Sequence, residues 1–284
     1  MKKALVFVFA AALATSAFAQ GASNTDINPS LVGDGHAHVS NAAGGGGGGN
    51  LIYHSGGKVI RTAHVVEIFW GSFPSGYTTN MQNFRNQFGT TGEYNVITQY
   101  TGIDDATGTT GAINLTNLAG GPIDYFDTST PPTNCTDAVV QAEVKKVIAA
   151  QGSTDYSAIY EVFIPSGSYS SDGSSTSCGG PNLAYCAYHS HYVDGSNKNV
   201  KYSIEPWAGC SGCQAFGDTS LDQEHFVCHE TREAVTDALG NAWFDRRGYE
   251  ADDKCAWSPT PFISGGYGYQ YEWSNLASGC VQTR

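Results

Sequence analysis

The chain has 284 residues, and its 26 acidic and 14 basic side chains give a formal net charge of −12 at pH 7. A surface with this excess of acid repels phosphate backbones and anionic membranes, which argues against nucleic acid as a partner. Only 14% of the residues are charged, and 35 of the 284 residues are glycine. This composition is typical of a loop-rich extracellular domain.

The first 19 residues have the three parts of a secretory signal peptide. Lys2 and Lys3 precede a short apolar run, and Ala17 and Ala19 place small residues at the −3 and −1 positions of a cleavage site. A membrane anchor is the alternative, but the apolar run is shorter than the roughly 20 residues that a spanning helix needs. We therefore expect a secreted protein, extracellular or periplasmic, with no membrane span after cleavage.

All eight cysteines follow the predicted cleavage site, and an even number in an exported chain favours up to four disulfide bonds. Cys210 and Cys213 form a CxxC pair, which a zinc knuckle or a redox pair would also contain. Because there is no second CxxC and the compartment is oxidising, we expect a local disulfide there. In the same compartment Cys228 and Cys255 are expected to be disulfide-bonded and not metal-bound.

Residues 20–50 lack apolar periodicity and contain six consecutive glycines, which predicts a flexible tether. His36 and His38 lie within it, and without a fold to hold them we do not expect a metal site. The remaining residues, 51–284, are enough for one domain with a sizeable core.

The elements of this domain follow from hydrophobic periodicity and from turn and capping residues. In chain order we expect a hairpin of residues 51–54 and 58–60, a strand over 64–70, a helix over 77–88, a strand over 94–100, a helix from Thr136 or Asp137 to Gly152, a strand over 158–164, a loop over 166–182, a hairpin of 183–192 and 199–205, and a helix over 220–239 capped by Ser220 or Asp222. Helices that alternate with strands, some of them antiparallel, predict an α+β fold.

The last predicted helix carries an HExxE pattern at His229, Glu230 and Glu233. Residues four apart lie on one helix face, so His229 and Glu233 can bind one ion, while Glu230 can act as general base. A glutamate here replaces the second histidine of the HExxH zinc-hydrolase motif, and carboxylates are acceptable zinc ligands. The alternative is a polar core without a metal. Apolar neighbours predict that this helix is buried, and buried polar groups need partners, which a shared metal would supply.

Further ligands are expected after the helix. Glu250 follows Glu233 by 17 residues, which is close to the interval at which many zinc peptidases place a glutamate ligand from the next helix, and Asp253 lies close by. Calcium is the alternative ion, because Glu233, Asp237, Glu250 and Asp253 could supply several oxygen ligands. The imidazole of His229 argues against calcium, so zinc is the expected cofactor.

Other candidate residues lie just before this helix or at its start. His189 and His191 share one face of the predicted strand, which makes His189 a candidate auxiliary residue of the site. Tyr188 is a candidate stabiliser of an oxyanion. Surface histidines beside a disulfide are the alternative. His225, one turn before the HExxE pattern, is a candidate further ligand but is expected to be partly exposed.

Several short motifs occur in the order found in the phosphate-induced protein 1, or exordium, family, which the chain resembles over most of residues 51–257. They are residues 53–57 (YHSGG), 68–71 (IFWG), 186–189 (CAYH), 229–233 (HETRE), 241–244 (NAWF) and 250–255 (EADDKC). The resemblance implies an extracellular or cell-wall protein of zincin-like fold. It also implies that His229, Glu233, and Glu250 or Asp253 are metal ligands and that Glu230 is the base.

Two functions are consistent with these patterns. One is a secreted metal-dependent hydrolase, a zinc peptidase that acts on protein or peptide through a metal-activated water. The other is a non-catalytic extracellular or cell-wall binding protein with a structural or vestigial metal site. In that case aromatic residues such as Tyr267, Tyr269 and Trp273 could stack on a cell-wall polysaccharide, although they could equally be ordinary core residues.

Overall fold

The computed structural model describes residues 49–284, so the predicted signal peptide and nearly all of the predicted tether, with His36 and His38, lie outside the described residues. The described part is a mixed α+β structure. Its helices are α1 (Tyr77–Phe88), α2 (Gly92–Asn95), α3 (Asp137–Gln151) and α4 (Thr219–Thr236). Its strands are β1 (Ile52–Tyr53), β2 (Lys58–Val59), β3 (His64–Trp70), β4 (Thr101–Asp104), β5 (Thr110–Ala112), β6 (Tyr125–Asp127), β7 (Asn134–Thr136), β8 (Ala158–Ile164), β9 (Tyr169–Asp172), β10 (Ser175–Thr176), β11 (Tyr188–Val193), β12 (Asn199–Pro206), β13 (Trp243–Phe244), β14 (Phe262–Ser264), β15 (Tyr267–Tyr269), β16 (Glu272–Ser274) and β17 (Gly279–Val281).

The largest sheet has the strand order β11-β12-β8-β3-β6. Neighbouring strands from β12 to β6 run parallel, whereas β11 at the edge is antiparallel to β12. Strands β3 and β8 are nearly continuous apolar runs because helices cover both sheet faces. Helices α1 and α4 pack on one face and α3 packs on the other.

One row of polar side chains crosses this sheet on the face that α4 covers. Glu67 of β3 is in register with Glu161 of β8, which pairs with Ser203 of β12, which pairs with His189 of β11. Paired residues of adjacent strands point to the same face. The row therefore passes under α4 and ends at His189 on the edge strand.

Helix α4 begins one residue earlier than predicted and ends three residues earlier. Its cap is Asp218, whose carboxylate accepts the N–H groups of Ser220 and Leu221, and not Ser220 or Asp222. At the other end Asp237 accepts the N–H groups of Asn241 and Ala242, which closes a turn and stops the helix. Every residue of α4 from Asp222 onward is buried, as its apolar neighbours predict.

The strands β3 and β8, the helices α1 and α3 and the β11–β12 hairpin confirm the sequence predictions, and Gly152 caps α3 in the left-handed region. Three other predictions are wrong. Strands β1 and β2 do not pair with each other, because their partners are the distant β13 and β4. Residues 94–100 are mostly helical, since Thr91 caps α2 by accepting the N–H of Tyr94. The predicted loop over 166–182 contains the short β9–β10 hairpin.

Three disulfide bonds form within the described residues, Cys178–Cys210, Cys186–Cys213 and Cys255–Cys280. The predicted local bond between Cys210 and Cys213 is wrong, because each pairs with a cysteine nearer to β11. Cys255 is bonded as expected. The three bonds agree with the expectation of up to four, but the prediction of a bonded Cys228 is wrong, since Cys135 and Cys228 are free thiols. Cys228 lies on the core-facing side of α4 within an apolar cluster.

Within residues 49–284, none of the helices has both the length and the apolar character that crossing a membrane requires.

Candidate metal centre

Three separate parts of the chain bring histidines and carboxylates together beside α4. The helix supplies His229 and Glu233, which lie one turn apart on the same face. The antiparallel edge strand β11 supplies His189. The segment after β13 supplies Glu250 and Asp253, of which Asp253 begins a short 3-10 helix.

Glu233 is the residue that the two histidines share. Its Oε2 lies 3.1 Å from His229 Nε2 and 3.9 Å from His189 Nδ1. The two residues of the later segment extend the cluster, with 3.9 Å between His229 Nε2 and Asp253 Oδ1 and 3.8 Å between His189 Nε2 and Glu250 Oε1. In a tetrahedral zinc site with ligands at 2.0–2.2 Å, neighbouring ligand atoms are about 3.4 Å apart. The observed separations of 3.1 to 3.9 Å lie around that value. Because an imidazole binds one ion through one nitrogen, His189 can approach such a site either through Nδ1 beside Glu233 or through Nε2 beside Glu250.

Two overlapping groups among the described residues have the compactness of a metal site. One is His189, Glu230 and Glu233, and the other is His229, Glu233 and Asp253, and within each group the ligand atoms lie within 4.8 Å of one another. A cysteine group of the same compactness also occurs, but its sulfurs belong to disulfides, which removes the thiolates that a metal would need. The imidazole and carboxylate groups could therefore hold a metal ion.

The polar atoms of this cluster fit a cation. Within residues 49–284, neither carboxylate oxygen of Glu250 has a hydrogen-bond partner, and the same holds for His189 Nε2. His189 and Glu250 are each 2% exposed, and His229, Glu230 and Glu233 have no exposed surface. Buried carboxylates without partners are costly, and a positive ion among them would offset that cost.

Burial also shifts the pKa values of the residues in this cluster. Burial lowers the pKa of His189 to about 3, so its imidazole is neutral at pH 7. A neutral imidazole is the form that binds a metal. Burial raises the pKa of Glu250 well above its usual value, and the negative charges of Glu233, Asp237, Asp253 and Glu230 raise it further.

Glu230, the predicted general base, contacts the edge strand. Its Oε2 lies 3.0 Å from His189 Nδ1, so the base and the auxiliary histidine are direct neighbours. Tyr188 is not part of this cluster. Successive residues of a strand point to opposite faces, and the Tyr188 hydroxyl donates to Asp137 Oδ1 at the start of α3.

Two further residues of the site are Gln270 and His225. Gln270 Oε1 lies 3.0 Å from His225 Nε2 and 3.2 Å from His229 Nδ1. His225 is fully buried, so the expectation that it is partly exposed is wrong, and burial lowers its pKa to about 3. The turn spacing between His225 and His229 is visible in the sequence. Gln270 belongs to no motif, so the sequence does not indicate it.

Comparisons of the chain with protein-family models, with curated proteins and with solved structures found no match.

Proposed function

We propose that this protein is a secreted zinc-dependent hydrolase that acts on peptide bonds. The observation that carries the proposal is the shared position of Glu233 Oε2, within 4 Å of nitrogen atoms on two buried histidines from different elements. Glu250 and Asp253 approach the same two histidines from a third segment. Such convergence of imidazole and carboxylate is the donor set of catalytic zinc sites.

His229, Glu233 and His189 would hold the ion, with Glu250 or Asp253 as a further ligand. A zinc ion held there would lower the pKa of water and polarise a carbonyl group. Glu230 is the general base, and its Oε2 lies 3.0 Å from His189 Nδ1. That contact holds the carboxylate beside the ligand residues, where a general base must lie.

Zinc is favoured over calcium by the two imidazole nitrogens of this centre. Calcium takes six to eight oxygen ligands, whereas the groups found here mix nitrogen with oxygen. His189 restores the second imidazole that the HExxE pattern lacks. The sequence motif and the strand histidine together resemble a two-histidine, one-carboxylate zinc site.

Other features support secretion and the zincin-like fold. Disulfides persist in oxidising compartments, and three form here. Helix α4 lies against a mixed sheet whose edge strand is antiparallel, and that strand carries a residue of the site. The ordered motifs that resemble the exordium family support the same proposal.

A second candidate function is favoured by one observation. His229, Glu230 and Glu233 have no exposed surface, whereas catalysis needs a position on the metal that substrate can reach. An enclosed ion is the arrangement of a structural site. The second candidate is therefore a non-catalytic extracellular protein that the metal stabilises.

One set of measurements tests both candidates. The mature chain is purified without chelator, its metals are quantified by mass spectrometry, and zinc binding to the metal-free protein is titrated. We expect one zinc per chain, loss of zinc in His189→Ala and Glu233→Gln, and retention in His191→Ala. His191 is the matched control, because it lies two residues from His189 on the same strand face and outside both ligand groups.

Peptide cleavage separates the hydrolase from the structural site. A library of unstructured peptides is incubated with zinc-loaded wild type and with zinc-loaded Glu230→Gln, and products are read by mass spectrometry. We expect cleavage by wild type and none by the variant. Zinc binding without cleavage in either protein supports the second candidate. Wild type that contains no zinc and binds none contradicts both.

A further inference from the structure

Gln270 connects two histidines of α4 through a single oxygen. Its Oε1 accepts from His225 Nε2 and His229 Nδ1 at 3.0 and 3.2 Å. On the other side of the amide, Nε2 lies 2.7 Å from the backbone carbonyl oxygen of Asp252. A carbonyl oxygen can only accept a hydrogen bond, so the amide atom facing Asp252 must be the NH2 group. The orientation of the Gln270 side chain is thereby determined.

This orientation determines which ring nitrogens carry protons. Gln270 Oε1 has two lone pairs and no hydrogen, so the nitrogens that contact it must both be N–H donors. His229 is therefore protonated at Nδ1 and presents the lone pair of Nε2 on the other side of the ring. That Nε2 is 3.1 Å from Glu233 Oε2. Two lone pairs at this distance repel each other unless a metal ion or a proton lies between them.

We propose that Gln270 is a positioning residue that holds His229 as the Nδ1–H tautomer and thereby directs Nε2 of His229 at the metal. His225 supports this role because it donates to the same Gln270 oxygen. The inference rests on the metal centre of the proposed function. Metal-ligating histidines usually donate their other ring N–H to a fixed acceptor, which sets the tautomer and orients the ring. Here a neutral amide is the acceptor, and it serves two imidazoles.

Hydrogen bonds and close packing hold Gln270 rigidly enough for this role. Its backbone carbonyl oxygen accepts a hydrogen bond from Arg232 Nη2 at 3.2 Å, and Arg232 pairs with Glu272 at 2.8 Å. Two residues earlier, β15 lies so close to α4 that a Cβ on Gly268 would be 2.1 Å from the carbonyl oxygen of Leu221. Gln270 is thus held at both its backbone and its side chain, with no exposed surface.

Nuclear magnetic resonance of protein labelled with 15N-histidine tests the tautomer directly. Long-range 1H–15N spectra are recorded for chelator-treated and zinc-loaded wild type, and the His229 signals are assigned by comparison with His229→Gln. We expect a pyrrole-type shift at Nδ1 and a pyridine-type shift at Nε2, with Nε2 changing when zinc is added. Gln270→Leu should weaken zinc binding 10–100-fold and populate both tautomers.

Two further variants complete the test. Gln223→Leu is the matched control, because Gln223 is equally buried beside the sheet but its amide donates to Glu205 Oε2. It should leave zinc affinity and the His229 tautomer unchanged. Gln270→Glu retains an acceptor oxygen and should keep the tautomer.

Two results would overturn the inference: Nε2 protonated in chelator-treated wild type, or a Gln270→Leu protein with unchanged tautomer and affinity. The wild-type spectrum decides the point even if Gln270→Leu does not fold. A wild type that binds no zinc but shows Nδ1–H contradicts the proposed function and not the role of Gln270.

Discussion

Two clusters of buried carboxylates lie against α4, and they differ in the groups that face them. In the candidate metal centre, His189 and His229 face the acids at 3.0 to 3.9 Å. The second cluster, which we call the carboxylate row, consists of Glu67, Glu161 and Glu205 on the central sheet. All three are fully buried, and among the described residues no metal-ligand group forms there.

Arg85 approaches the carboxylate row but pairs more closely with Asp124, which is outside the row. Arg85 Nη2 is 2.7 Å from Asp124 Oδ2 and 3.6 Å from Glu67 Oε2. Burial raises the pKa of Glu161 to about 7 and raises the pKa values of Glu67 and Glu205 well above the usual value. The comparison indicates that buried acids beside two histidines can share a metal ion, whereas buried acids with no histidine beside them are stabilised in the protonated form.

Among the changes that distinguish the two clusters, metal removal is expected to have the largest effect on the free energy of unfolding. Zinc bound only to the folded state stabilises it by about 4 kcal/mol when free zinc is about 1,000-fold above the dissociation constant. Chelation should lower the free energy of unfolding by that amount, and added zinc should restore it. Chemical denaturation with and without chelator measures the change.

The carboxylate row should not contribute to this effect. Glu161→Gln serves as the control and should lose as much stability on chelation as wild type does. A zinc-loaded wild type whose unfolding is insensitive to chelator would contradict the metal centre as a stabilising feature.

The second prediction concerns the pH dependence of stability. The pKa of Glu161 rises from 4.5 in the unfolded chain to about 7 in the folded protein. The folded state binds the proton more tightly, so this stabilisation is fully present below pH 4.5 and is lost as pH rises to about 7. At higher pH the loss is on the order of 3 kcal/mol.

Glu161→Gln should remove much of this decline, because an amide still accepts the hydrogen bond from Thr231 Oγ1 at 2.7 Å. Midpoints of urea unfolding between pH 4.5 and pH 8 measure the slope. The exposed Asp218→Asn is unsuitable as a control because that residue caps α4. Glu93→Gln is the better control, since Glu93 is also a buried glutamate but belongs to neither cluster. Equal slopes in wild type and Glu161→Gln would show that Glu161 does not hold the proton.

The two clusters also differ in how far the sequence predicts them. His229, Glu230 and Glu233 could be proposed as site residues because side chains four residues apart on a helix leave a local pattern. His189 could be proposed from strand alternation, but its contact with Glu230 depends on how the β11–β12 hairpin packs on α4. Gln270 could not be found, because a single amide far along the chain has no local signature.

The same distinction applies to the fold. The long helices α1, α3 and α4 and the long buried strands β3 and β8 are set by local periodicity, and their predictions agree with the structure to within a few residues. Strands β1 and β2 are two residues long, and distant segments decide their pairing. Cys228 shows the limit for disulfides, because the signal-peptide pattern predicts an oxidising compartment but not the direction of the side chain. The signal peptide and the single-domain organisation stay predictions.

A third prediction acts on the packing between β15 and α4. Gly268→Ala places a Cβ 2.1 Å from the carbonyl oxygen of Leu221, so the backbone must shift. We expect a loss of about 2 kcal/mol from overpacking, together with weaker zinc binding, because Gln270 lies two residues away. Gly279→Ala is the control, since the atom nearest to its added Cβ is 3.9 Å away.

Unfolding midpoints and zinc titrations of both glycine variants measure these effects. Equal zinc affinity in wild type and Gly268→Ala would mean that Gln270 tolerates movement of its strand.

The variant with the smallest expected effect, Thr231→Val, tests whether the two clusters are energetically independent. Thr231 is adjacent to Glu230 in sequence, yet its hydroxyl donates to Glu161 Oε1 in the carboxylate row. Thr231→Val keeps the side-chain volume and removes that donor, which should cost about 1 kcal/mol. Without the hydrogen bond the pKa of Glu161 should rise further, since the bond favours the charged form. Zinc affinity should stay within about threefold of wild type if the helix transmits no strain between adjacent residues. A zinc affinity reduced tenfold or more, at the same loss of stability, would show that the two clusters are coupled through α4 and that the row contributes to positioning Glu230.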